Sequence, residues 1–419
     1  MRKAKHPRRE SKPRADVASD YEHITSDRGL ADLCRQLADA PTIAFDTEFV
    51  SEHTYRPQLC LIQVAAGERM AVIDPQTISD VTPFWELLAS PGHETLVHAG
   101  REELLFCLAA VGRPPTGLFD VQIAAGLVGY EYPAGYGSLM YKLLGTRLHK
   151  GETRTDWRRR PLSAAQLSYA LDDVRYLGPM AEALKARLAE LERTAWLDDE
   201  MTAWQSDVAA TRSGERWWRV SGASGLSRRS LAVVRELWRW REKEAEHRDS
   251  PTRRVLRDDL IIELAKRKSS DIKHIRAVRG MERRDLDRVL PSLAAAVERG
   301  LAVPDAECPT PAQREAPSQL TVLGQFLSTA LSSICRAAHL APSIVGTTSD
   351  VRELVAYRLG MGKRDGEPPT LGRGWRAEVV GRRIEDLLAG RLSMRIADPL
   401  SNEPLVFEPV GEQPDKAES

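Results

Sequence analysis

The apolar residues of this chain are spaced in two different ways, and the change between them comes near residue 210. Before it, short apolar runs at residues 42–45 and 59–65 alternate with helical spacing, as at residues 30–37. After it, only helical spacing is found. Such alternation with short connections is typical of a mixed sheet flanked by helices. The sequence therefore predicts an α/β domain followed by one or two small all-helical domains.

These patterns divide the 419 residues into segments, in line with the two or three domains that the length favours. In order, they are a basic flexible arm (1–20), the α/β domain (21–210), a helical domain (211–300), a Pro-rich linker (301–318), a second helical domain (319–400) and an acidic tail (401–419). The arm is too poor in large apolar residues to form a core of its own.

Charge is balanced over the whole chain but not along it. The 60 Lys and Arg residues match 60 Asp and Glu residues, yet residues 211–300 hold 23 of the former and 14 of the latter, a difference of +9. A neutral total therefore does not exclude a polyanionic partner. The cysteines are scattered, without a CxxC pair, and no apolar run is long enough for a membrane helix. We therefore expect a cytoplasmic protein without a membrane partner.

Two acids stand at the end of the first strongly apolar run. Asp46 and Glu48 are two residues apart, and alternate residues of a strand project to the same face of its sheet. Carboxylates held side by side repel one another unless a cation lies between them, and hard oxygen ligands favour Mg²⁺ or Mn²⁺. A solvated strand end is the simpler explanation of this pair on its own.

Further acidic groups follow on predicted helices. Glu102 and Glu103 come directly after a strand-to-helix turn, where complementation of the helix dipole also explains acids. Tyr169 and Asp173 are four residues apart, so they share one face of the helix predicted at residues 164–192. Each pair alone is common on ordinary helices. The order of all three motifs along the chain is more specific.

This order resembles that of the DEDDy 3′–5′ exonuclease superfamily and, within it, of the ribonuclease D family. The resemblance runs from about residue 21 to residue 191 and includes the segments between the acids. The matching segments are IAFDTEFV (43–50), TY (54–55) with Pro57, LCLIQ (59–63), HAG (98–100), FD (119–120) with QI (122–123), RTDW (154–157), RPL (160–162) and YALDD (169–173). The resemblance implies an RNase-H-like sheet and hydrolysis of phosphodiester bonds with two divalent metal ions, Mg²⁺ or Mn²⁺.

The family's site residues are carried over to this chain position by position. Asp46, Glu48, Glu103 and Asp173 are the implied metal ligands, and Tyr169 is implied to hold and help activate the attacking water. Glu103 stands where the family has an aspartate, so the acid keeps its charge but changes its reach. We expect activity to be retained, with this substitution as the main source of any change.

Four other residues are candidates for contact with substrate. His98 closes a predicted strand, Gln63 and Tyr55 are placed along the substrate groove, and Arg154 precedes the long predicted helix in a basic loop. Ordinary packing also explains the first three, and a solvated loop also explains Arg154. Asp120 is interpreted as the cap of a helix at residues 121–128.

The basic region after residue 210 resembles the HRDC domain, a helical module that RecQ-type helicases share with ribonuclease D. The matching stretches are LAVVRELWRWR (231–241), PTRRVLRDD (251–259) and IRAVRG (275–280). The resemblance implies nucleic-acid binding, which the excess of positive charge supports independently. Residues 319–391 resemble a second module of this kind more loosely.

The combined prediction is a monomeric exoribonuclease that trims RNA with a free 3′ end, such as precursor tRNA trailers, and releases nucleoside 5′-monophosphates. No nucleotide cofactor is expected, because the chain has no GxxxxGK[ST] phosphate loop. Two alternatives stay open. One is a 3′–5′ DNA exonuclease acting in repair, and the other is a catalytically weakened RNA-binding protein in which Glu103 has disabled metal binding.

Overall fold

A mixed β-sheet forms the centre of the first half of the molecule. The computed structural model describes residues 21–147, 155–310, 318–361 and 367–410. The strands of the sheet are β1 Glu22–Ile24, β2 Thr42–Val50, β3 Gln58–Ala66, β4 Arg69–Ile73, β5 Glu94–Val97 and β6 Leu118–Asp120. Their order is β1-β4-β3-β2-β5-β6. Strand β3 is antiparallel to β2 and β4, and the other neighbouring pairs are parallel.

Helices pack against this sheet and close an aromatic core. They are α1 Asp27–Leu37, α2 Thr82–Leu88, α3 Arg101–Val111, α4 Val121–Leu127, α5 Tyr136–Leu144, α6 Ala164–Arg175, α7 Leu177–Glu190 and α8 Thr194–Ser213. Phe45 of β2 meets Phe84 and Trp85 of α2 edge to face, with ring centroids 5.9 Å apart in both pairs. This packing fixes β2, the strand that carries the first two acids, to the centre of the domain.

The single helix predicted at residues 164–192 is two helices, α6 and α7. Ser163 caps α6 as predicted, and its hydroxyl accepts from the backbone N–H of Gln166 while the Gln166 side chain bonds back to Ser163. The break follows from Pro179, which has no N–H to donate and whose ring clashes with the carbonyl four residues earlier. That carbonyl belongs to Arg175, the last residue of α6.

The basic region after α8 is a helical unit with its own core. Its helices are α9 Arg228–His247, α10 Thr252–Val255, α11 Asp258–Arg267, α12 Ile272–Arg276, α13 Arg284–Asp287 and α14 Leu290–Ala302. Apolar side chains of α9, α11 and α14 form a cluster separate from that of the sheet. Trp240 is buried there and its indole N–H donates to Ser292 at 3.0 Å, so this tryptophan is a packing residue.

The helices after residue 317 pack onto the α/β domain, whose apolar cluster they extend. They are α15 Ser318–Ala337, α16 Pro342–Val345, α17 Thr348–Arg358, α18 Gly374–Arg376 and α19 Arg382–Leu388, with a π-helical turn at Ala377–Gly381. Trp375 stacks on Trp196 of α8 with ring centroids 5.1 Å apart, and Arg376 forms a bidentate ion pair with Glu200 at 2.7 and 2.8 Å. Helix α8 therefore anchors the helices after residue 317 to the α/β domain.

The end of the described chain differs from the predicted helical unit and tail. Strands β7 Leu392–Ile396 and β8 Leu405–Pro409 form an antiparallel hairpin, so the boundary predicted at residues 400 and 401 falls inside its loop. The predicted arm (1–20), most of the predicted linker's second half (311–317) and residues 411–419 of the predicted tail lie outside the described residues. In the ranges described, no helix has both the length and the apolar character needed to span a membrane.

Candidate active site

Three of the predicted acids meet where β2 faces α6. Asp46 and Glu48 project from β2, and Asp173 projects from the last turn of α6, which packs on β2 and β3. One oxygen atom from each carboxylate lies within 4.8 Å of those of the other two. The pairing of β2 with β5 runs from Thr42 to Ala44 and ends there, so Asp46 and Glu48 lie beyond the end of that ladder. The alternation of β2 thus brings both acids to one place, as the sequence predicted.

Glu103, the fourth predicted ligand, lies beside this group and outside it. It is in the first turn of α3, is 5% exposed, and its Oε1 accepts a hydrogen bond of 2.6 Å from the hydroxyl of Thr47. Thr47 stands between Asp46 and Glu48 on β2. The Glu103 charge is close enough to add to the repulsion on both acids. The structure therefore shows a group of three carboxylates with a fourth held next to it by Thr47.

The turn that places Glu103 depends on Asp120. Asp120 is 1% exposed, and its carboxylate accepts from the backbone N–H groups of Ala99 and Gly100 at 3.0 and 2.9 Å. It also accepts from the N–H of Gln122 at 2.8 Å and so caps α4, as predicted. Ala99 has φ +55°, a left-handed conformation that costs free energy for a residue other than glycine. The sequence interpretation of Asp120 as a cap missed this second role beside the site.

Crowding and burial make these carboxylates costly to ionise. Burial, followed by repulsion from Glu103, Asp173 and Glu48, raises the pKa of Asp46 well above its usual range. Burial and repulsion raise the pKa of Glu48 to about 8, and burial raises the pKa of Asp173 to about 7. Divalent cations bound between the carboxylates would offset both effects. Because the donors are all hard oxygens, the set suits Mg²⁺ or Mn²⁺.

Aromatic residues flank the acids on the α6 side. Tyr169 lies one turn before Asp173, and their hydrogen-bonding interaction works against the burial that raises the Asp173 pKa. The ring of Trp157 packs 6.3 Å from that of Tyr169. Tyr136 is a residue that the sequence analysis missed: its hydroxyl donates to the carbonyl of Asp172 at 2.7 Å. The sequence around Tyr136 matches no motif, so it did not indicate that this residue lies beside the acids.

The predicted substrate contacts have different surroundings. His98 Nε2 is 2.9 Å from the carbonyl oxygen of Ala134, which matches the packed, hydrogen-bonded alternative. Gln63 is opposite Asp46 on β3 but fully buried, which does not fit a place along a groove, because both faces of β3 are covered. Tyr55 lies where the α/β domain meets the helical unit, and its hydroxyl donates to Glu242 at 3.2 Å. Arg154 lies outside the described residues.

Comparisons with known proteins show which families this chain is similar to. A family model described as 3′–5′ exonuclease matches residues 21–189, and one described as HRDC domain matches residues 230–297. Ribonuclease D of Acidiphilium cryptum is 34% identical over 382 residues, 88% of this chain and 94% of the relative. Ribonuclease D of Jannaschia sp. is 34% identical over 379 residues, 88% of this chain and 96% of the relative.

The fold comparison gives the same result. The crystal structure of Escherichia coli RNase D, described as an exoribonuclease involved in structured RNA processing, matches with a TM-score of 0.76 and 29% identity. The match covers 88% of this chain and 99% of that one. The predicted fold class, a mixed α/β domain followed by a helical HRDC region, is therefore confirmed.

Proposed function

The chain belongs to the ribonuclease D family of 3′–5′ exoribonucleases, and we propose that it shortens RNA from a free 3′ end by two-metal hydrolysis. The predicted resemblance and the predicted enzyme class are confirmed by these relatives. The observation that carries the mechanism is the meeting of Asp46, Glu48 and Asp173 beside Tyr169, from elements far apart in the chain.

The acids supply the ligands for the ions. Asp46, Glu48 and Asp173 would hold them, with Glu103 as the further ligand or as the charge that positions one. A pair of such ions stabilises the negative charge that develops on the attacking and departing oxygens of a phosphodiester. We propose Mg²⁺ or Mn²⁺, because the site offers only oxygen donors and its raised carboxyl pKa values mark a place that favours added positive charge.

The chain's own residues position the other reactants. Burial, followed by the nearby charges of Asp173 and Glu48, raises the pKa of the Tyr169 phenol, so it stays protonated and can donate or share a hydrogen bond. We assign it the task of holding the attacking water in line with the scissile bond. Water attack on the phosphorus releases a nucleoside 5′-monophosphate and leaves a 3′-hydroxyl on the shortened RNA.

We propose RNA as the substrate, with precursor tRNA trailers as an example, in keeping with the family. Residues 211–300 would hold the body of the RNA, because this unit matches the HRDC model and carries the excess of positive charge. A second HRDC-like unit, limited to the helices between residues 319 and 388, is part of the same proposal, as are a monomeric state and a place in the cytoplasm.

The test is metal-dependent shortening of labelled RNA. Purified protein with 5′-labelled, 3′-tailed RNA should give a ladder with Mg²⁺ or Mn²⁺ and none with EDTA. Matched DNA should remain intact; a ladder from DNA alone would favour the deoxyribonuclease alternative. Retarded RNA that is never shortened would favour the binding-protein alternative.

A variant pair tests the site itself. Asp173→Asn should abolish hydrolysis, because it removes a proposed metal ligand. It should leave RNA binding nearly unchanged, because the surface proposed to hold the RNA is not altered. The neighbouring Asp172→Asn is the matched control. The Asp172 carboxylate lies 3.7 Å from Arg175 on the same helix and is not one of the three carboxylates that meet at the site. Hydrolysis by Asp173→Asn at the rate of the control would contradict the assignment of the metal site.

A further inference from the structure

The phenol of Tyr136 reaches the end of α6, next to the proposed metal site. Its hydroxyl donates to the backbone carbonyl of Asp172 at 2.7 Å, and this bond joins residues 36 positions apart. The residue that follows, Asp173, supplies one of the three carboxylates that meet there. Tyr136 is itself the first residue of α5, so the bond ties the start of one helix to the end of the next.

The phenol oxygen of Tyr136 lies between two backbone groups of the helix. In a regular α-helix, the carbonyl of Asp172 accepts from the N–H of Tyr176, and Tyr176 stands where α6 gives way to α7. Burial, followed by the charge of Asp173, raises the pKa of the Tyr136 phenol, whereas a hydrogen bond from the N–H of Tyr176 acts in the opposite direction. The phenol therefore bridges the carbonyl and the N–H, and side chains inserted in this way bend helices.

The turn before α5 holds the Tyr136 ring in place. The carbonyl of Ala134 accepts from the side chains of both His98 and Gln122, each at 2.9 Å. The His98 ring also packs edge to face on the Tyr136 ring, with centroids 5.4 Å apart. Gln122 is fixed in turn, because its backbone N–H donates to Asp120. Tyr136 therefore starts its helix from a well-anchored turn and gives the end of α6 a rigid support.

Asp173 needs such a support because the acids of the site repel one another. Burial, followed by the charge of Asp173, raises the pKa of Glu48 to about 8. This repulsion pushes the end of α6 away from β2 until cations bind, and α6 ends only two residues after Asp173, at Arg175. Helix ends fray, so the last turn of α6 would yield first. The bond from Tyr136 opposes that movement.

We propose that Tyr136 is a positioning residue for metal binding. Its hydroxyl holds the last turn of α6 so that the Asp173 carboxylate stays with those of Asp46 and Glu48. The inference rests on the proposed function for the metal site, and it adds a residue that acts through Asp173 rather than as a ligand. Removal of groups that hold metal ligands in place typically weakens metal binding about 10- to 100-fold. We expect the lower end of this range, because Tyr136 bonds to the backbone beside the ligand.

The test is Tyr136→Phe, which keeps the ring and removes only the hydroxyl. Binding of Mn²⁺ without RNA, measured from the electron paramagnetic resonance signal of the free ion, should weaken about tenfold. The Mn²⁺ concentration for half-maximal hydrolysis should rise by the same factor. Saturating Mn²⁺ should restore most of kcat, and the KM for RNA should stay as in the parent protein. An unchanged Mn²⁺ affinity would overturn the inference.

A double variant shows whether the hydroxyl acts through Asp173. Asp173→Asn alone should weaken Mn²⁺ binding, and Tyr136→Phe added to it should weaken binding no further, because residues that act through one another are not additive. A second, full tenfold loss in the double variant would contradict the inference, since it would point to a general loss of structure.

The control removes a hydroxyl from the same helix. Tyr141 also belongs to α5, but its ring is exposed and contacts Arg147, with the guanidinium carbon 4.6 Å from the ring centroid. Tyr141→Phe should leave Mn²⁺ binding and hydrolysis as in the parent. All titrations are made at a temperature where thermal unfolding shows every variant to be folded.

The single variants separate this inference from the proposed function. If Asp173→Asn weakens Mn²⁺ binding and Tyr136→Phe does not, the proposed metal site stands and only the role of Tyr136 is refuted. If Asp173→Asn binds Mn²⁺ as tightly as the parent, the metal site itself is refuted, and the role of Tyr136 with it. Weaker binding in both, without addition in the double variant, supports the role of Tyr136.

Discussion

The hydrogen bond between Thr47 and Glu103 offers a test of how the fourth acid contributes. Thr47→Val keeps the shape of the side chain and removes the hydroxyl that donates to Glu103 Oε1 at 2.6 Å. Both residues are 5% exposed, so water cannot take the place of the missing donor. A hydrogen bond to a charged group contributes about 1.5–3 kcal/mol. That free energy corresponds to about a 10- to 100-fold change in an equilibrium constant.

If Glu103 supports metal binding, the absence of this bond should appear in the metal titration. We expect the Mn²⁺ concentration that gives half-maximal hydrolysis to rise about 10-fold or more, the range found when partners of metal ligands are removed. The assay is the initial rate on labelled RNA as a function of free Mn²⁺. Saturating Mn²⁺ should restore most of the rate.

The control is a buried threonine of the same sheet with a neutral partner. Thr95 is fully buried on β5, and its hydroxyl donates to the carbonyl of Thr116 at 2.9 Å. Thr95→Val should lower the free energy of unfolding and leave the Mn²⁺ titration unchanged. A Thr47→Val protein with the parent's half-saturating Mn²⁺ concentration would refute the role given to Glu103, and the site would then consist of Asp46, Glu48 and Asp173 alone.

Two further predictions concern Tyr169, which we assign to the attacking water, and the buried ion pair between Arg160 and Asp74. Tyr169→Phe should lower the single-turnover rate about 100-fold, typical of the removal of a proton-handling group, without shifting the Mn²⁺ titration; an unchanged rate would remove Tyr169 from the chemistry. Arg160→Met should lower the free energy of unfolding, measured in urea, by about 3–5 kcal/mol. Asp74 is only 2% exposed, and the variant leaves its carboxylate without the ion pair that joins the loop before α6 to the end of β4. Burial alone would raise the pKa of Asp74, but hydrogen bonds from Arg160 lower it below its usual range. The difference in unfolding free energy between parent and variant should therefore be fully present above about pH 4 and shrink as the pH falls further; a difference that shrinks on raising the pH would contradict the pairing.

Local signals in the sequence were enough for the elements that carry the site. The spacing of Asp46 and Glu48 is a strand property, and the turn between Tyr169 and Asp173 is a helix property, so both could be read without knowledge of the fold. The caps at Ser163 and Asp120 are also local, and both were predicted correctly. The resemblance to a known family then indicated that these separate elements meet at one site.

Other features depended on contacts between distant residues or on signals that were overlooked. The bond between Thr47 and Glu103 joins residues 56 positions apart, and nothing near either one announces it. Gln63 is polar and was placed on a groove, but β3 is covered on both faces, a fact of the tertiary structure. The break at Pro179 and the C-terminal hairpin had local signals: a proline inside a helical pattern, and a turn-forming Asp398 and Pro399 between two alternating stretches.

The position of Glu103 depends on a residue that is not itself a ligand. Helix α3 begins at the turn of Ala99 and Gly100, and this turn keeps its left-handed conformation because Asp120, at the end of β6, accepts both backbone N–H groups. A β-carbon on Gly100 would come within 2.4 Å of Val97, so the turn also requires glycine. The contacts of this turn therefore fix where α3 begins and, with it, the position of Glu103 in the first turn of the helix.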